Sequence, residues 1–172
     1  GVLGKNGAGT LNELNIESSA NNLHIITFGK AIGTMGAAVA GDNDTIEMIE
    51  QLAKAIAFTT AMPPCIAASS LASIKLIKNN PEIRKKLISN LQYFKLLAKQ
   101  ENLAIDINKT PIIKLNSQSI EQSIEWSKIL QQHPVKPPSV IQPGLRIIIN
   151  AKHTKSELEQ LLFALSTLAI KE

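Results

Sequence analysis

The feature that most limits how this chain can fold is a shortage of strands in its first half. Up to residue 78 only two short runs favour extended backbone, Leu23-His24-Ile25-Ile26-Thr27-Phe28 and Ala37-Ala38-Val39-Ala40. The first is apolar, stops at Gly29 and reads as a buried strand. Two helical patterns stand against them. Asp42 to Asp44 can cap a helix whose apolar face is Ile46, Ile49, Leu52, Ala53 and Ile56. Pro63-Pro64 suits the opening of the next, which runs through Ile66, Leu71, Ile74 and Ile77 and is expected to be well buried. Helices of an α/β domain cover a sheet, and two short strands give them little to cover. This part is therefore expected to need further sequence, or another subunit, to complete its sheet.

Beyond Asn79-Asn80-Pro81 the balance changes. A long helix places Ile83, Leu87, Leu91, Phe94 and Ala98 in register. Ile112-Ile113-Lys114-Leu115 and Leu145-Arg146-Ile147-Ile148-Ile149 read as strands, with a helix from about Ser119 to Leu130 between them. Thr154 and Glu157 have the spacing of a capping box, in which side chain and backbone at a helix start satisfy each other. Leu158, Leu161, Leu162, Leu165 and Leu168 then line one face of the last helix. The expected class is α/β, with residues 1–78 an incomplete part of a larger domain and residues 79–172 a compact α+β domain. Residues 1–22, rich in Gly, Asn and Ser, read mostly as loop.

Composition narrows the partners. Aromatic residues are only 3% of the chain, so its core must come from Ile, Leu and Ala, and base-stacking platforms for nucleic acid are not expected. The net charge of +4 is spread out, and its densest cluster, Arg84-Lys85-Lys86, lies in a helical pattern as a solvated face. A single cysteine, Cys65, excludes an internal disulfide and a cysteine-based metal cluster. No secretory signal and no membrane-length apolar run is visible, and a soluble, cytoplasmic protein is expected. The opening Gly1-Val2-Leu3-Gly4 lacks an initiating Met and is expected to lie inside a longer protein.

Two glycine-rich stretches fail as phosphate loops. Gly4, Gly7 and Gly9 follow no strand, and Gly29-Lys30 is followed by Ala31 where a P-loop needs a hydroxyl. Lys30 suits a nucleophile better. It stands at the end of an apolar strand, with Gly29 before it and Gly33 and Gly36 after it, so a bulky cofactor can approach the backbone. Enclosing a lysine there would favour the neutral, nucleophilic amine. By spacing alone, a solvated lysine in a turn is the commoner arrangement.

The segment Thr27-Phe28-Gly29-Lys30-Ala31-Ile32-Gly33 resembles the cofactor-lysine segment of the α-oxoamine synthases, a pyridoxal-phosphate family of the aspartate-aminotransferase fold. Residues 1–9 resemble the stretch after that family's Asp-x-x-His motif. Phe58-Thr59-Thr60-Ala61-Met62-Pro63-Pro64 resembles its hydroxyl-rich segment ending in Pro-Pro. Pro137-Pro138-Ser139-Val140, Leu145-Arg146-Ile147 and His153-Thr154 resemble its C-terminal signature, in the same order.

The resemblance implies the C-terminal part of a cofactor-binding large domain, followed by a small C-terminal domain, in a homodimeric enzyme. It implies pyridoxal 5'-phosphate as cofactor and a decarboxylating condensation of an amino acid with an acyl thioester. The wording around Lys30 and Ala61-Met62-Pro63-Pro64 is nearest to members that join L-alanine to pimeloyl-CoA or pimeloyl-acyl carrier protein in biotin biosynthesis. Lys30 would carry the cofactor and act as the base, and Thr27 would donate to the cofactor phosphate. Thr59 and Thr60 would serve the phosphate of the neighbouring subunit, and Arg146 would clamp the substrate carboxylate. The family's Asp for the pyridine nitrogen and its stacking His would lie before Gly1, so the piece alone is expected to be inactive. The stretch from Pro137 to Arg146 is shorter than the family pattern, and Ile148 stands where a hydroxyl residue is common.

Overall fold

The computed structural model describes residues 1–17, 19, 22–108, 110–136, 139–140 and 143–168. The chain divides between Pro81 and Glu82 into two compact units.

The first unit is built around a hairpin and a long helix. Residues 1–22 are not all loop: a 3-10 turn at Lys5–Gly7 and α1 (Thr10–Glu13) interrupt them. β1 (His24–Thr27) and β2 (Ala37–Ala40) form a two-stranded antiparallel sheet, His24 facing Ala40 and Thr27 facing Ala37. α2 (Asn43–Leu52) starts as its acidic run suggests, the Asp42 side chain accepting the Thr45 amide at 3.1 Å. Its apolar face does not continue unbroken to Ile56. Ala53 is extended, with ψ 97°, and α3 (Lys54–Ala57) begins anew. α4 (Pro64–Asn79) opens with a proline in its first turn.

Burial in this unit corrects two expectations. β1 is not a buried strand: Ile25 is 77% and Ile26 43% exposed, because among the described residues the sheet is only a two-stranded ribbon. α4 is not well buried either. Ser70 is its one buried residue, while Leu71, Ile74 and Leu76 lie open to solvent. Phe58, at 85% exposed, extends the same pattern. Among the described residues, no large apolar side chain of this unit belongs to the buried core.

The second unit has the core that the first lacks. α5 (Pro81–Gln100) contributes Leu91, Phe94 and Ala98, as its periodicity predicts. β3 (Ile112–Leu115), β4 (Ser139–Val140) and β5 (Leu145–Ile148) form an antiparallel sheet in the order β3-β5-β4. α6 (Ile120–Leu130) lies between β3 and β4 in sequence, its N-terminus capped by Ser119, whose hydroxyl accepts the Gln122 amide at 3.2 Å. α7 (Lys155–Ser166) closes the unit. Strand alternation puts Ile113, Leu115, Leu145, Ile147 and Ile149 in one buried cluster with Phe94, Leu130, Leu158 and Leu165. The other face shows Ile112, Lys114, Arg146 and Ile148 to solvent. Of the C-terminal motif, Pro137 and Pro138 lie outside the described residues, and Ser139 and Val140 become β4, paired with Arg146 and Leu145.

Two local devices fix this sheet and its last helix. Gly144 adopts φ 135°, and a Cβ there would sit 2.2 Å from the Leu115 carbonyl oxygen. Only glycine meets both conditions. At α7 the Thr154 hydroxyl accepts the Glu157 amide at 3.2 Å, and the Glu157 carboxylate accepts the Thr154 amide at 2.7 Å. The Thr154 amide, and then the Thr154 hydroxyl donating to the same carboxylate at 2.9 Å, hold the Glu157 carboxyl below its ordinary value of 4.5.

Three outcomes follow. Amide exchange should be slow across β5 and the buried face of α7 and fast throughout β1 and β2; hairpin amides as protected as those of β5 would contradict this account. Thr154→Ala should lower stability by about 1 kcal/mol, the usual cost of losing an N-cap, measured by urea unfolding. The Glu157 contribution is present above the unfolded-state value and is lost as pH falls through the depressed native value. Unfolding midpoints of wild type and Glu157→Gln should therefore differ at pH 7 and converge in acid.

Candidate functional site

Lys30 occupies the tip of the β1–β2 hairpin. Phe28 donates its amide to the Gly36 carbonyl at 2.9 Å, and Thr34 donates to the Phe28 carbonyl at 3.0 Å. The Gly33 amide reaches the Lys30 carbonyl at 3.0 Å, closing a tight turn in which Gly33 takes φ 71°. Gly33 is therefore a conformational requirement, whereas a Cβ on Gly29 would meet only the Thr34 carbonyl, 3.7 Å away. The enclosure expected around Lys30 is not provided by the described residues. Its side chain is exposed, as is that of Thr27, because among the described residues no third strand pairs with the hairpin.

The tip is nevertheless held in place. Thr34 and Ser70 share a hydroxyl–hydroxyl bond of 2.7 Å, and Ser70 also donates to the Ile66 carbonyl at 2.8 Å. A Cβ on Gly36 would lie 2.5 Å from the Met62 methyl, so residue 62 packs against the neck of the hairpin. A Cβ on Gly1 would lie equally close to that of Ala31, 2.5 Å away. Sequence reasoning passed over Ser70, yet a hydroxyl among the apolar residues of α4 was a usable sign of a polar contact.

Thr59 and Thr60 are exposed in the segment between α3 and α4. Neither caps α4, whose N-cap position is Pro63. The Thr59 hydroxyl donates to the Ala55 carbonyl, so its proton is engaged inside the preceding turn. It would have to rotate to donate to a phosphate.

The components fit a phosphate-bearing carbonyl cofactor. Such a group needs an accessible amine, slender neighbours and a hydroxyl donor for its phosphate. Lys30 supplies the amine, Gly29 and Gly33 leave free space where a Cβ would project, and Thr27 presents an exposed hydroxyl at the end of β1. Among the described residues, no group of three or more His, Cys, Asp or Glu could hold a metal ion.

Arg146 belongs to the second unit. It sits on β5 between Leu145 and Ile147, both buried, and points to the exposed sheet face. Its in-register neighbour on β3 is Lys114, also exposed. Like charges opposite each other across a ladder oppose pairing, and an anion placed there would relieve them. Lys114 was missed as a site residue because only the strand register sets it opposite Arg146. Beside Arg146 a cleft of about 430 Å³ is lined by Lys136, Asn150, His153 and Gln160 among others. The His153 ring is engaged with its own loop, Nδ1 accepting the Asn150 amide at 3.3 Å.

Comparison with known proteins identifies the family and the fold. Residues 1–165 match the family described as aminotransferase class I and II. The chain is 34% identical to the 8-amino-7-oxononanoate synthase of Hydrogenovibrio crunogenus over 173 residues, 96% of this chain and 44% of that protein. It superimposes on the crystal structure of 8-amino-7-oxononanoate synthase from Francisella tularensis with a TM-score of 0.81 and 27% identity, covering 96% of this chain and 51% of that one. A serine palmitoyltransferase of S. paucimobilis, solved with PLP and myriocin bound, shares the fold at a TM-score of 0.79 and 21% identity, over 97% of this chain and 43% of its own. The chain thus spans about half the length of the relatives it matches. With a match that runs through both units, the chain belongs to the aminotransferase class I and II family.

Proposed function

We propose that the whole protein is a pyridoxal-phosphate-dependent acyltransferase that condenses L-alanine with a pimeloyl thioester, with loss of carbon dioxide, to give 8-amino-7-oxononanoate for biotin synthesis. The observation that carries this reading is Lys30, an accessible amine on a tethered hairpin tip between two glycines, within a family match covering residues 1–165. Relatives named 8-amino-7-oxononanoate synthase, 30–34% identical to this chain, support the choice of substrates. Pimeloyl-CoA and pimeloyl-acyl carrier protein are both suitable donors. A homodimer in the cytoplasm is part of the same reading, and among the described residues no helix is long and apolar enough to cross a membrane.

When bound, pyridoxal phosphate supplies an electron sink for charge developing at the amino acid's α-carbon. Lys30 would hold the cofactor through its side-chain nitrogen, and its amine would serve as the base for the proton on that carbon. Thr27 donates its hydroxyl to the cofactor phosphate. Thr59 and Thr60 donate to the phosphate in the neighbouring subunit, Thr59 after turning away from Ala55. Arg146 binds the substrate carboxylate through two parallel N–H donors, which fixes orientation as well as charge. Enclosure would raise the neutral, basic fraction of the Lys30 amine, and this chain alone leaves that residue exposed. The exposure supports the reading that the 172-residue piece by itself is inactive.

A second reading follows from the exposed apolar surface of the first unit: a non-catalytic oligomerisation module that keeps the fold. A related synthase such as a glycine C-acetyltransferase is the nearest catalytic alternative.

Borohydride treatment of the whole protein with pyridoxal phosphate should fix one cofactor per chain on Lys30, detected by peptide mass, and Lys30→Ala should abolish both adduct and product. Absence of the adduct in wild type would favour the module. Product from glycine and acetyl-CoA, but not from L-alanine and a pimeloyl thioester, would favour the alternative synthase.

A further inference from the structure

Among the described residues of the second unit, two polar side chains are buried, and they act on the two ends of one strand. Ser123, fully buried on α6, accepts the buried Gly144 amide at 2.8 Å, one residue before β5. Its hydroxyl is fixed by the Ser119 carbonyl at 3.0 Å and by the Ser117 hydroxyl at 2.6 Å. Asn90, on α5, donates from Nδ2 to the Asn150 carbonyl at 2.9 Å and to the His153 carbonyl at 3.0 Å, just beyond β5. Arg146 lies between these two clamps.

Neither clamp is needed to bury apolar surface, and each places a polar group in the interior, where it is costly unless fully paired. Their common effect is on register. A shift of β5 by one residue would turn Arg146 into the core and Leu145 or Ile147 out of it. Backbone pairing to β3 and to the two-residue β4 gives limited resistance to such a slip on the β4 side. The Gly144 amide bond and the double carbonyl bond of Asn90 fix both ends of the strand with side chains from two different helices.

We propose that Ser123 and Asn90 are positioning residues that set the location of the Arg146 guanidinium for carboxylate binding. The inference rests on the reading of Arg146 as the carboxylate clamp. Neither residue touches substrate; each acts through the backbone of β5 and the loop after it.

The test is steady-state kinetics of the whole, cofactor-loaded protein, with KM for L-alanine and kcat resolved separately and melting temperature recorded. Ser123→Ala and Asn90→Ala are each expected to raise KM for L-alanine roughly tenfold or more, since small displacements of a positioning group have effects of that order, with kcat changed far less. KM for the thioester should stay unchanged. Combining either change with Arg146→Ala should raise KM no further than Arg146→Ala alone, because the effect passes through that guanidinium. Ser123→Thr, which keeps the hydroxyl, should restore the wild-type KM. Lower melting temperatures with unchanged KM, or additive effects with Arg146→Ala, would overturn the inference. If Arg146→Ala itself leaves KM for L-alanine unchanged, the carboxylate reading falls, and the inference falls with it. Should Ser123→Ala give no folded protein, Asn90→Ser takes its place: a raised KM supports the inference and an unchanged KM overturns it.

Discussion

The period-two alternation of β5 is the constraint on which the second unit depends. Leu145, Ile147 and Ile149 enter a core with Phe94, Leu130, Leu158 and Leu165, and this leaves Arg146 and Ile148 on the open face. Each large apolar side chain buried this way contributes about 1.5–3 kcal/mol, so several such residues on two strands specify the register firmly. Core packing thus decides which face of the sheet Arg146 takes. The polar bonds at Gly144, Asn150 and His153 then refine what hydrophobic burial has already selected.

The first unit is organised on a different basis. It has ordered backbone, a tethered hairpin and one helix with a side-chain cap, yet its large apolar side chains remain accessible. Local hydrogen bonds give it shape without supplying a hydrophobic core, the dominant favourable term in most domains. Exposed Ile25, Leu52 and Phe58 are more easily understood as interface residues than as the surface of an independent domain. That is consistent with a chain spanning about half the length of its relatives. It also accounts for a lysine segment that is locally ordered while open to water.

Much of this was legible in the residues. The start of α2 at Asp42, the prolines opening α4 and α5, the Thr154–Glu157 box and the core faces of α5 and α7 all follow from local chemistry. The shortage of strands in the first half was equally plain. Burial was misjudged where apolar composition stood in for a partner, as in β1 and α4. A run of isoleucines records that something should cover it, but not whether the covering element is present. The break at Ala53 was invisible because alanine favours the helix and the apolar spacing carried on to Ile56. For the candidate site, Lys30 and Thr27 are singled out by a segment resemblance. Ser70, Lys114, Ser123 and Asn90 depend on contacts between elements distant in sequence, which no local pattern encodes.

Gly144 has a consequence for how such a protein can change over time. Its φ angle and its approach to the Leu115 carbonyl leave no room for any other residue, so the entrance to β5 is closed to gradual substitution. Lys114, on the exposed face opposite Arg146, is under no such restriction. Substitution on this face is therefore freer on β3 than at the entrance to β5, where the backbone admits only glycine.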